Sequence, residues 1–427
     1  MEIKNICGVF KMKTRFMKAV AVLICLLTVC SVFAGCTNQN TTATTEPAGT
    51  TAQNIVAQPA TEVEVTEPAI DNLGFVPFKE YSLEEDVEVK NIILMIGDGM
   101  GENIIENAEI IKGDNLAMRG MPYKCYVTTD SLDGTTDSAA ASTAMSCGIK
   151  TRNKNIGIDE NNDAVETIIE FAKARGLKTG LVDTQIIPHA TPAGMVAHTD
   201  YRGLYNVILK QMVKAGVDVM YGGGSEYTDT TKMLKRIEDA GYTYIKTADE
   251  LYNNDLQTPV LGAFNWGGMY AGRLPSLTDM TASALELLEG DEGFFLMVEE
   301  SYIDICEADL DMEGTIKEMQ SFDKCIDYTL SWAENHPGTL VIVTADHETG
   351  GVIVPEDKKP ENVNNDCFTS GGEHTSTNVA LFAAGAQAGE LFTEETIDNT
   401  DIAKIMRKAL NDTYGEAEVK LLNEVGQ

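Results

Sequence analysis

The sequence predicts an α/β fold in which helices cover both faces of a mostly parallel central sheet. Along the 427 residues, short apolar runs typical of buried strands alternate with longer segments of helical periodicity. Gly176 and Gly216 follow two of the helical segments, at positions where helices commonly stop. From about residue 75 onward, the chain is long and apolar enough for one large domain.

Each element is predicted from its local pattern, in chain order. Runs of aliphatic residues predict the strands, and apolar residues three or four apart predict the helices. The predicted elements are a strand at 90–96, a helix near 137–146, a helix at 164–175, a strand at 178–183, a helix at 201–215, a strand at 217–221, a helix at 278–288, a strand at 293–298, a long helix within 312–335, and strands at 339–344 and 379–384.

The first 36 residues resemble a bacterial secretion signal. A cationic run is followed by the apolar segment 19–34, which is short for a membrane span, and then by small residues before Cys36. This pattern predicts residues 1–36 as a signal peptide with a lipobox, in which Cys36 carries lipid. A plain cleaved signal or a single membrane anchor remains an alternative. Residues 37–75 are rich in Thr, Ala, Gln, Glu and Pro and predict a flexible linker, followed by a folded domain at 76–427.

Charge and cysteine content exclude several classes of protein. The chain has 66 Asp and Glu against 32 Lys and Arg, a formal net charge of −34, which argues against nucleic acid as a partner. Of its nine cysteines, the five that follow Cys36 are widely spaced and contain no Cys-x-x-Cys pair. Neither a disulfide framework nor a structural zinc knuckle is therefore expected.

Polar residues of metal-ligand type follow two of the predicted strands. Asp98 comes just after the first strand, and Asp346 and His347 come just after the strand at 339–344. Ser138 lies between an aspartate and small residues at the start of a predicted helix. Because ligands bind at the carboxyl ends of strands in open α/β sheets, these side chains are expected to converge. The pattern predicts a serine nucleophile activated by metal ions.

Six separated motifs, in order, make the chain similar to the alkaline phosphatase family from about Asn91 to His374. They are 91–101 (NIILMIGDGMG), 136–144 (TDSAAASTA), 189–198 (HATPAGMVAH) with Arg202, 297–304 (MVEESYID), 341–347 (VIVTADH) and 373–375 (EHT). One such string would be a weak signal, whereas six in order are specific. The resemblance implies the alkaline phosphatase-like version of the predicted fold for residues 76–427.

The resemblance also implies a role for each matching residue. Ser138 would be the nucleophile that becomes phosphorylated, and Arg202 would bind the phosphoryl oxygens. The implied metal ligands are Asp98, Asp346 and His347 for the zinc that activates Ser138, Asp304 and His374 for the zinc facing the leaving group, and Asp98, Thr191 and Glu299 for magnesium. His189 is expected near the metals as a neighbour of the ligands, whereas His198 and His336 are expected to have structural roles.

The chain departs from the family pattern at Ala308. The family has a histidine four residues after the aspartate that matches Asp304, and this chain has only five histidines. The leaving-group zinc would lose its third protein ligand unless Cys306, Glu307 or Asp309 substitutes. Two ligands would hold the metal weakly. Accordingly, one or two zinc ions are expected beside one magnesium ion.

The sequence therefore predicts a secreted phosphomonoesterase, anchored by lipid at Cys36 to the outer face of the bacterial cytoplasmic membrane. Its partners would be small phosphate esters and the membrane, and a homodimer is compatible with the resemblance. Two alternatives remain open. The first is a phosphodiesterase of the same superfamily, and the second is a phosphate- or metal-binding lipoprotein that has lost catalysis through Ala308.

Overall fold

The fold is taken from a computed structural model that describes residues 74–253 and 255–415. The signal peptide and lipobox predicted at 1–36 lie outside these residues, as does nearly all of the linker predicted at 37–75. Phe75 already packs against the hydrophobic core, so the folded part includes the last residue assigned to the linker.

Ten strands of the described residues form one sheet, and two further short strands pair with each other. The strands are β1 (Asn91–Gly97), β2 (Tyr123–Thr128), β3 (Lys178–Ile186), β4 (Val219–Gly223), β5 (Thr243–Ile245), β6 (Val260–Ala263), β7 (Phe294–Glu300), β8 (Thr339–Thr344), β9 (Glu348–Thr349), β10 (His374–Thr375), β11 (Val379–Gly385) and β12 (Thr396–Asp398).

Helices connect most of these strands. They are α1 (Glu102–Lys112), α2 (Ser138–Cys147), α3 (Ile168–Lys173), α4 (Ala190–Gly194), α5 (Tyr205–Ala215), α6 (Ser225–Thr228), α7 (Thr231–Asp239), α8 (Ala248–Leu251), α9 (Leu277–Leu288), α10 (Tyr302–Ala308), α11 (Met312–Ala333), α12 (Ala388–Leu391) and α13 (Asn399–Tyr414).

The sheet has the order β12-β2-β11-β8-β1-β7-β3-β4-β6-β5. Only β11 runs antiparallel to its neighbours, so the predicted mostly parallel sheet is confirmed. The four central strands, β8, β1, β7 and β3, are almost entirely buried. Such complete burial explains why they appear in the sequence as continuous apolar runs.

Every predicted element is present, most of them with shifted ends. The helix predicted at 164–175 is shorter, because a capping box at Thr167 and Glu170 starts it at Ile168. The helix predicted at 201–215 begins at Tyr205. The sequence did not predict β2, β5, β6, β9, β10 and β12. β2 lies next to the edge strand and alternates exposed and buried residues, and the others have only two to four residues.

Helix α2 consists mainly of small residues and is buried along its whole length. It packs against α4 and α13 at close range. A Cβ added at Gly194 of α4 would come within 2.1 Å of the Ser142 hydroxyl oxygen, so only glycine fits at this crossing. This packing fixes the position of the first residue of α2, Ser138.

Cys125, Cys147, Cys306, Cys325 and Cys367 are all free thiols. None of the described helices combines the length and the apolar character needed to cross a membrane.

Candidate active site

The carboxyl ends of the central strands bring the predicted ligands to one edge of the sheet. Asp98 follows β1 directly, Glu299 lies near the end of β7, and Asp346 and His347 follow β8. Ile96 of β1 pairs with Glu299 on one side and with β8 on the other, so these strands end at the same level. All four polar side chains are buried, as expected only when partners compensate their desolvation.

Ser138 is held at this edge by the start of α2. The side chain of Asp137 caps the helix by accepting a hydrogen bond of 3.0 Å from the Ala140 N–H. The Ser138 hydroxyl oxygen lies 3.4 Å from Asp98 Oδ2 and 3.4 Å from His347 Nε2. The predicted nucleophile therefore contacts two of the predicted metal ligands.

Asp98, Asp346 and His347 form a cluster that we call the nucleophile side. Their ligand atoms lie within 4.8 Å of one another, a spacing that suits a metal ion. His347 Nε2 is 3.3 Å from Asp98 Oδ1 and 3.2 Å from Asp346 Oδ2. Burial, followed by the nearby carboxylate of Asp346, raises the pKa of Asp98 well above its ordinary value. Burial lowers the pKa of His347, which favours the neutral imidazole that binds metals.

A second cluster, which we call the leaving-group side, contains Asp304, His374 and again His347. His374 Nε2 lies 3.4 Å from Asp304 Oδ1, and the rings of His374 and His347 stack with centroids 3.6 Å apart. The Thr349 hydroxyl donates to Asp304 at 2.6 Å. The side chains of His374 and Asp304 are 27% and 19% exposed, so this side faces solvent.

Proton affinity also distinguishes the leaving-group side. Burial opposes the charge of His374, but the hydrogen-bonded Asp304 carboxylate outweighs it and raises the pKa of His374 to about 9. The pKa of Asp304 is lowered correspondingly, against burial, by His374 and His347. In the absence of metal, these two residues therefore form an ion pair at neutral pH.

The residues around Ala308, where the family has a histidine, differ in how far they are exposed. Ala308 ends α10, is exposed, and lies against the loop that carries His374, where a Cβ on Gly372 would meet its backbone. Asp309 is exposed.

The Cys306 thiol has a pKa raised to about 12 by burial and nearby carboxylates, which disfavours the metal-binding thiolate. Glu307 is fully buried, and neither of its carboxylate oxygens has a hydrogen-bond partner.

Gly99 leaves space for the Glu307 carboxyl group next to Asp304. Its φ of +79° is a left-handed conformation, and an added Cβ would lie 2.7 Å from Glu307 Oε2 and 2.9 Å from the Asp304 Cα. The Glu307 carboxylate still lies outside the two groups whose ligand atoms approach within 4.8 Å. Burial and the nearby Asp304 carboxylate raise the pKa of Glu307 well above its ordinary value, so it places an acid with high proton affinity close to Asp304 without joining the cluster.

A third group of oxygen atoms surrounds Glu299. Thr191, in α4, is fully buried, and its hydroxyl lies against the Glu299 carboxylate. Burial and the nearby Asp183 carboxylate raise the pKa of Glu299 well above its usual range. Burial also raises the pKa of Asp183 to about 7, against hydrogen bonds from the Gln185 N–H and the Ser301 hydroxyl.

Arg202 is held at the edge of the nucleophile side. Its Nη1 donates to Asp137 Oδ2 at 3.0 Å, and its Nη2 lies 3.4 Å from His189 Nε2. Burial opposes its charge, but Asp137 and Asp98 outweigh that effect and raise its pKa. Asp137 therefore orients both the predicted nucleophile and the predicted phosphate-binding arginine. Burial and Arg202 lower the pKa of His189 to about 3, so this imidazole is neutral.

The two histidines expected to be structural contact other parts of the fold. His198 Nδ1 lies 2.7 Å from the Gly157 carbonyl oxygen, and its Nε2 lies 3.2 Å from Glu170 Oε1. His336 stacks on Trp332 with ring centroids 3.7 Å apart. Neither belongs to a group of candidate metal ligands among the described residues.

The donor atoms present fit metal ions. Buried oxygens without a hydrogen-bond partner occur on Asp98, Thr191, Glu299 and Asp346. Buried carboxylates this close together repel one another unless a cation or a proton lies between them. Imidazole and carboxylate ligands suit zinc, whereas the all-oxygen group around Glu299 suits a hard cation.

Four residues that sequence reasoning did not assign contribute to the site: Asp137, Asp183, Glu307 and Thr349. Two of them had a visible signal. Asp183 ends a predicted strand at the functional edge, and Asp137 stands directly before the nucleophile as a helix cap. The sequence pattern suggests Glu307 only as a substitute ligand. The contact of Thr349 with Asp304 joins distant segments and has no local signature.

The chain is similar in sequence to known alkaline phosphatases. The family described as Alkaline phosphatase matches residues 89–366. Alkaline phosphatase 4 of Bacillus subtilis (strain 168) is 37% identical over 295 residues, an alignment that covers 64% of each chain. The matched region thus spans less than two thirds of that relative. The alkaline phosphatase of Escherichia coli (strain K12) is 32% identical over 410 residues, covering 76% of this chain and 87% of the relative.

Solved structures have the same fold. The cold-active alkaline phosphatase of Shewanella sp. superposes with a TM-score of 0.69 at 27% identity, covering 75% of this chain and 99% of that protein. The alkaline phosphatase of the Antarctic bacterium TAB5 gives a TM-score of 0.67 at 30% identity, covering 77% and 98%. A TAB5 variant was solved with magnesium bound in a site named M3.

Proposed function

Because the chain belongs to the alkaline phosphatase family, we propose that it hydrolyses phosphate monoesters through Ser138. The observation that carries this proposal is the position of the Ser138 hydroxyl, 3.4 Å from both Asp98 and His347. A serine hydroxyl is a poor nucleophile at neutral pH, and here it contacts two side chains that can hold a divalent cation. Small phosphate esters are the proposed substrates.

The proposed metal ligands follow the three groups of side chains. The nucleophile side and the leaving-group side would each hold zinc, and Asp98, Thr191 and Glu299 would hold magnesium. When bound, these cations lower the pKa of the serine hydroxyl and stabilise charge on the attacking and leaving oxygens. The leaving-group side would hold its zinc less tightly than the nucleophile side, since Ala308 supplies no ligand.

The side chains would then act in two displacements. Ser138 Oγ loses its proton and attacks phosphorus, a new Oγ to phosphorus bond forms, the bond to the alcohol oxygen breaks, and the alcohol leaves after taking up one proton. Water next attacks the phosphoserine, the Oγ to phosphorus bond breaks, and inorganic phosphate leaves. Arg202 is positioned to bind two phosphoryl oxygens with its planar guanidinium, and Asp137 fixes the orientation of that group.

Replacing the nucleophile tests the proposal. Ser138→Ala should abolish hydrolysis of p-nitrophenyl phosphate, measured with zinc and magnesium added, and should abolish labelling of the chain by 32P-phosphate at acid pH. Ser142→Ala is the matched control, because Ser142 lies one turn along α2 and donates to backbone carbonyls instead. Near-normal turnover by Ser138→Ala would contradict the mechanism.

The same assay separates the alternatives. Faster turnover of bis-p-nitrophenyl phosphate than of the monoester would favour a phosphodiesterase. A wild-type chain that binds phosphate and metals without turnover would favour the non-catalytic binding protein that Ala308 raises as an alternative.

For localisation, we propose lipid attachment at Cys36 and anchoring to the outer face of the cytoplasmic membrane. The support is the sequence pattern before Cys36. Metabolic labelling with palmitate should be lost in Cys36→Ser. Labelling that persists in Cys36→Ser would show that the attachment site is wrong.

A further inference from the structure

Asp183 is a buried carboxylate that the proposed mechanism does not use. It is the last residue of β3 that pairs with β7, and its partner in the register is Glu299. Residues paired across adjacent strands project from the same face of the sheet. The Asp183 and Glu299 carboxylates therefore face the same side, where the Thr191 hydroxyl lies against Glu299.

The oxygens of this group are only partly satisfied. Asp183 Oδ1 accepts hydrogen bonds from the Gln185 N–H at 2.7 Å and the Ser301 hydroxyl at 2.8 Å. Asp183 Oδ2, the Thr191 hydroxyl and both Glu299 oxygens are buried and have no hydrogen-bond partner. Asp183 is 1% exposed, and Thr191 and Glu299 are fully buried. Four unpartnered oxygens without access to solvent require a cation or a shared proton.

We propose that Asp183 is a fourth protein ligand of the magnesium site formed by Asp98, Thr191 and Glu299. This inference rests on the proposed function, which places magnesium there. Magnesium prefers six oxygen ligands in octahedral geometry, so four protein oxygens leave two positions for water. The two hydrogen bonds to Oδ1 fix the carboxylate and leave Oδ2 free for the cation. The added negative charge should tighten the site.

A matched pair of acids lies on the opposite face of the same strands. Glu300 follows Glu299 on β7 and accepts a hydrogen bond of 2.7 Å from the Thr184 hydroxyl. Its neighbour Glu318, in α11, uses both carboxylate oxygens to accept the Ala271 N–H. Glu318 is thus a buried acid near a second acid, but both of its oxygens accept a backbone hydrogen bond, and Glu318→Gln serves as the control.

Magnesium binding to the full-length chain tests the proposal. The protein is stripped with chelator, resupplied with zinc, and titrated calorimetrically with magnesium chloride, while elemental analysis gives the bound magnesium. Asp183→Asn keeps the shape and the oxygen that accepts both hydrogen bonds. It should weaken magnesium binding by roughly tenfold or more. Glu318→Gln should bind magnesium as the wild type does.

The opposite result would overturn the proposal. If Asp183→Asn binds magnesium as tightly as the wild type, Asp183 only shares a proton with Glu299. Asp183→Ser is the second variant, since it removes the carboxylate with a smaller side chain, and it should lose affinity likewise. A wild-type chain that binds no magnesium also refutes the inference. Binding is measured without turnover, so failure of hydrolysis alone counts against the proposed function and not against Asp183.

Discussion

The two sides of the site are built differently, although they share His347. On the nucleophile side, Asp98 and Asp346 follow neighbouring strands of the sheet and are almost completely buried. On the leaving-group side, Asp304 comes from the short helix α10 and His374 from the short strand β10, and both are partly exposed. One side is thus fixed by the core and the other by surface segments.

This difference shows where the fold tolerates change. A buried ligand is held by its strand and by hydrogen bonds, as Asp346 is by the N–H groups of Gly99 and His347 at 3.2 and 3.0 Å. Preorganised groups of this kind contribute most to stabilising a transition state. The leaving-group side has fewer such contacts and lacks the usual third ligand at Ala308. We therefore expect substitutions on the nucleophile side to lower kcat/KM more than substitutions on the leaving-group side.

The largest effect is expected when the buried side is changed. Asp346→Asn should lower kcat/KM for p-nitrophenyl phosphate by roughly a hundredfold or more, as is typical for loss of one preorganised electrostatic contact. Asp304→Asn, on the leaving-group side, should lower kcat/KM clearly less. Steady-state kinetics of both variants at saturating zinc and magnesium measure the two losses. Equal losses in kcat/KM would contradict the expected difference between the two sides.

A smaller loss is expected at Arg202, which borders the nucleophile side. Arg202→Ala removes a charge-assisted contact worth about 1.5–3 kcal/mol, so kcat/KM should fall by roughly ten- to a hundredfold. Inhibition by inorganic phosphate should weaken in parallel. Arg202→Lys is the control that keeps the charge without the planar fork and should recover only part of the loss. Unchanged phosphate inhibition in Arg202→Ala would remove this residue from the site.

Restoring a third protein ligand should tighten zinc binding on the leaving-group side. Ala308→His should tighten zinc on the leaving-group side by about tenfold, because three protein ligands are usual for a catalytic zinc. Elemental analysis after dialysis should find more zinc retained than in the wild type, and activity should depend less on added metal. Asp309→His is the control one residue further along. Two tightly held zinc ions in the wild type would contradict the expected weakness of this side.

The smallest effect concerns how the stability of the metal-free protein and its metal affinity depend on pH. The pKa of His374 is raised to about 9, above the ordinary 6.5, so its pairing with Asp304 stabilises the fold fully below pH 6.5. That contribution should disappear as the pH rises through about 9, and metal affinity on the leaving-group side should rise over the same interval.

Histidine NMR can measure this difference between the two sides. The ring signals of His374 should titrate near pH 9, whereas the lowered pKa of His347 should leave its ring neutral at pH 7. The nucleophile side must instead release a proton from Asp98, whose pKa is raised. His374→Gln assigns the signals, and a His374 midpoint below 6.5 would show that Asp304 does not hold this proton.

The central half of the fold was predictable because its strands are buried on both faces. Apolar runs such as 91–96 leave little ambiguity, and the polar residues that follow them mark the functional edge. Strands such as β2 and β12 were not predictable. Their stability comes from pairing with distant segments rather than from their own composition.

The site shows the same division. Ser138, Asp98 and His347 stand in motifs whose spacing is local, so their types and positions could be read from the sequence. The stacking of His347 on His374 and the register that pairs Asp183 with Glu299 join residues far apart in the chain. No local pattern contains such information, and only the folded chain provides it.

The unpartnered oxygens at the end of the central strands have a consequence for local motion. Without cations, the buried oxygens of Asp98, Glu299 and Asp346 lose the ions that would hold them together and must take up protons or water, which should favour transient opening of the turns that follow β1 and β8. The opposite ends of these strands have no such cluster among the described residues and should stay closed. Amide hydrogen exchange would then be fast at 98–101 and 346–350 and slow along the strands, so that exchange at these turns reports how fully the protein is supplied with metal.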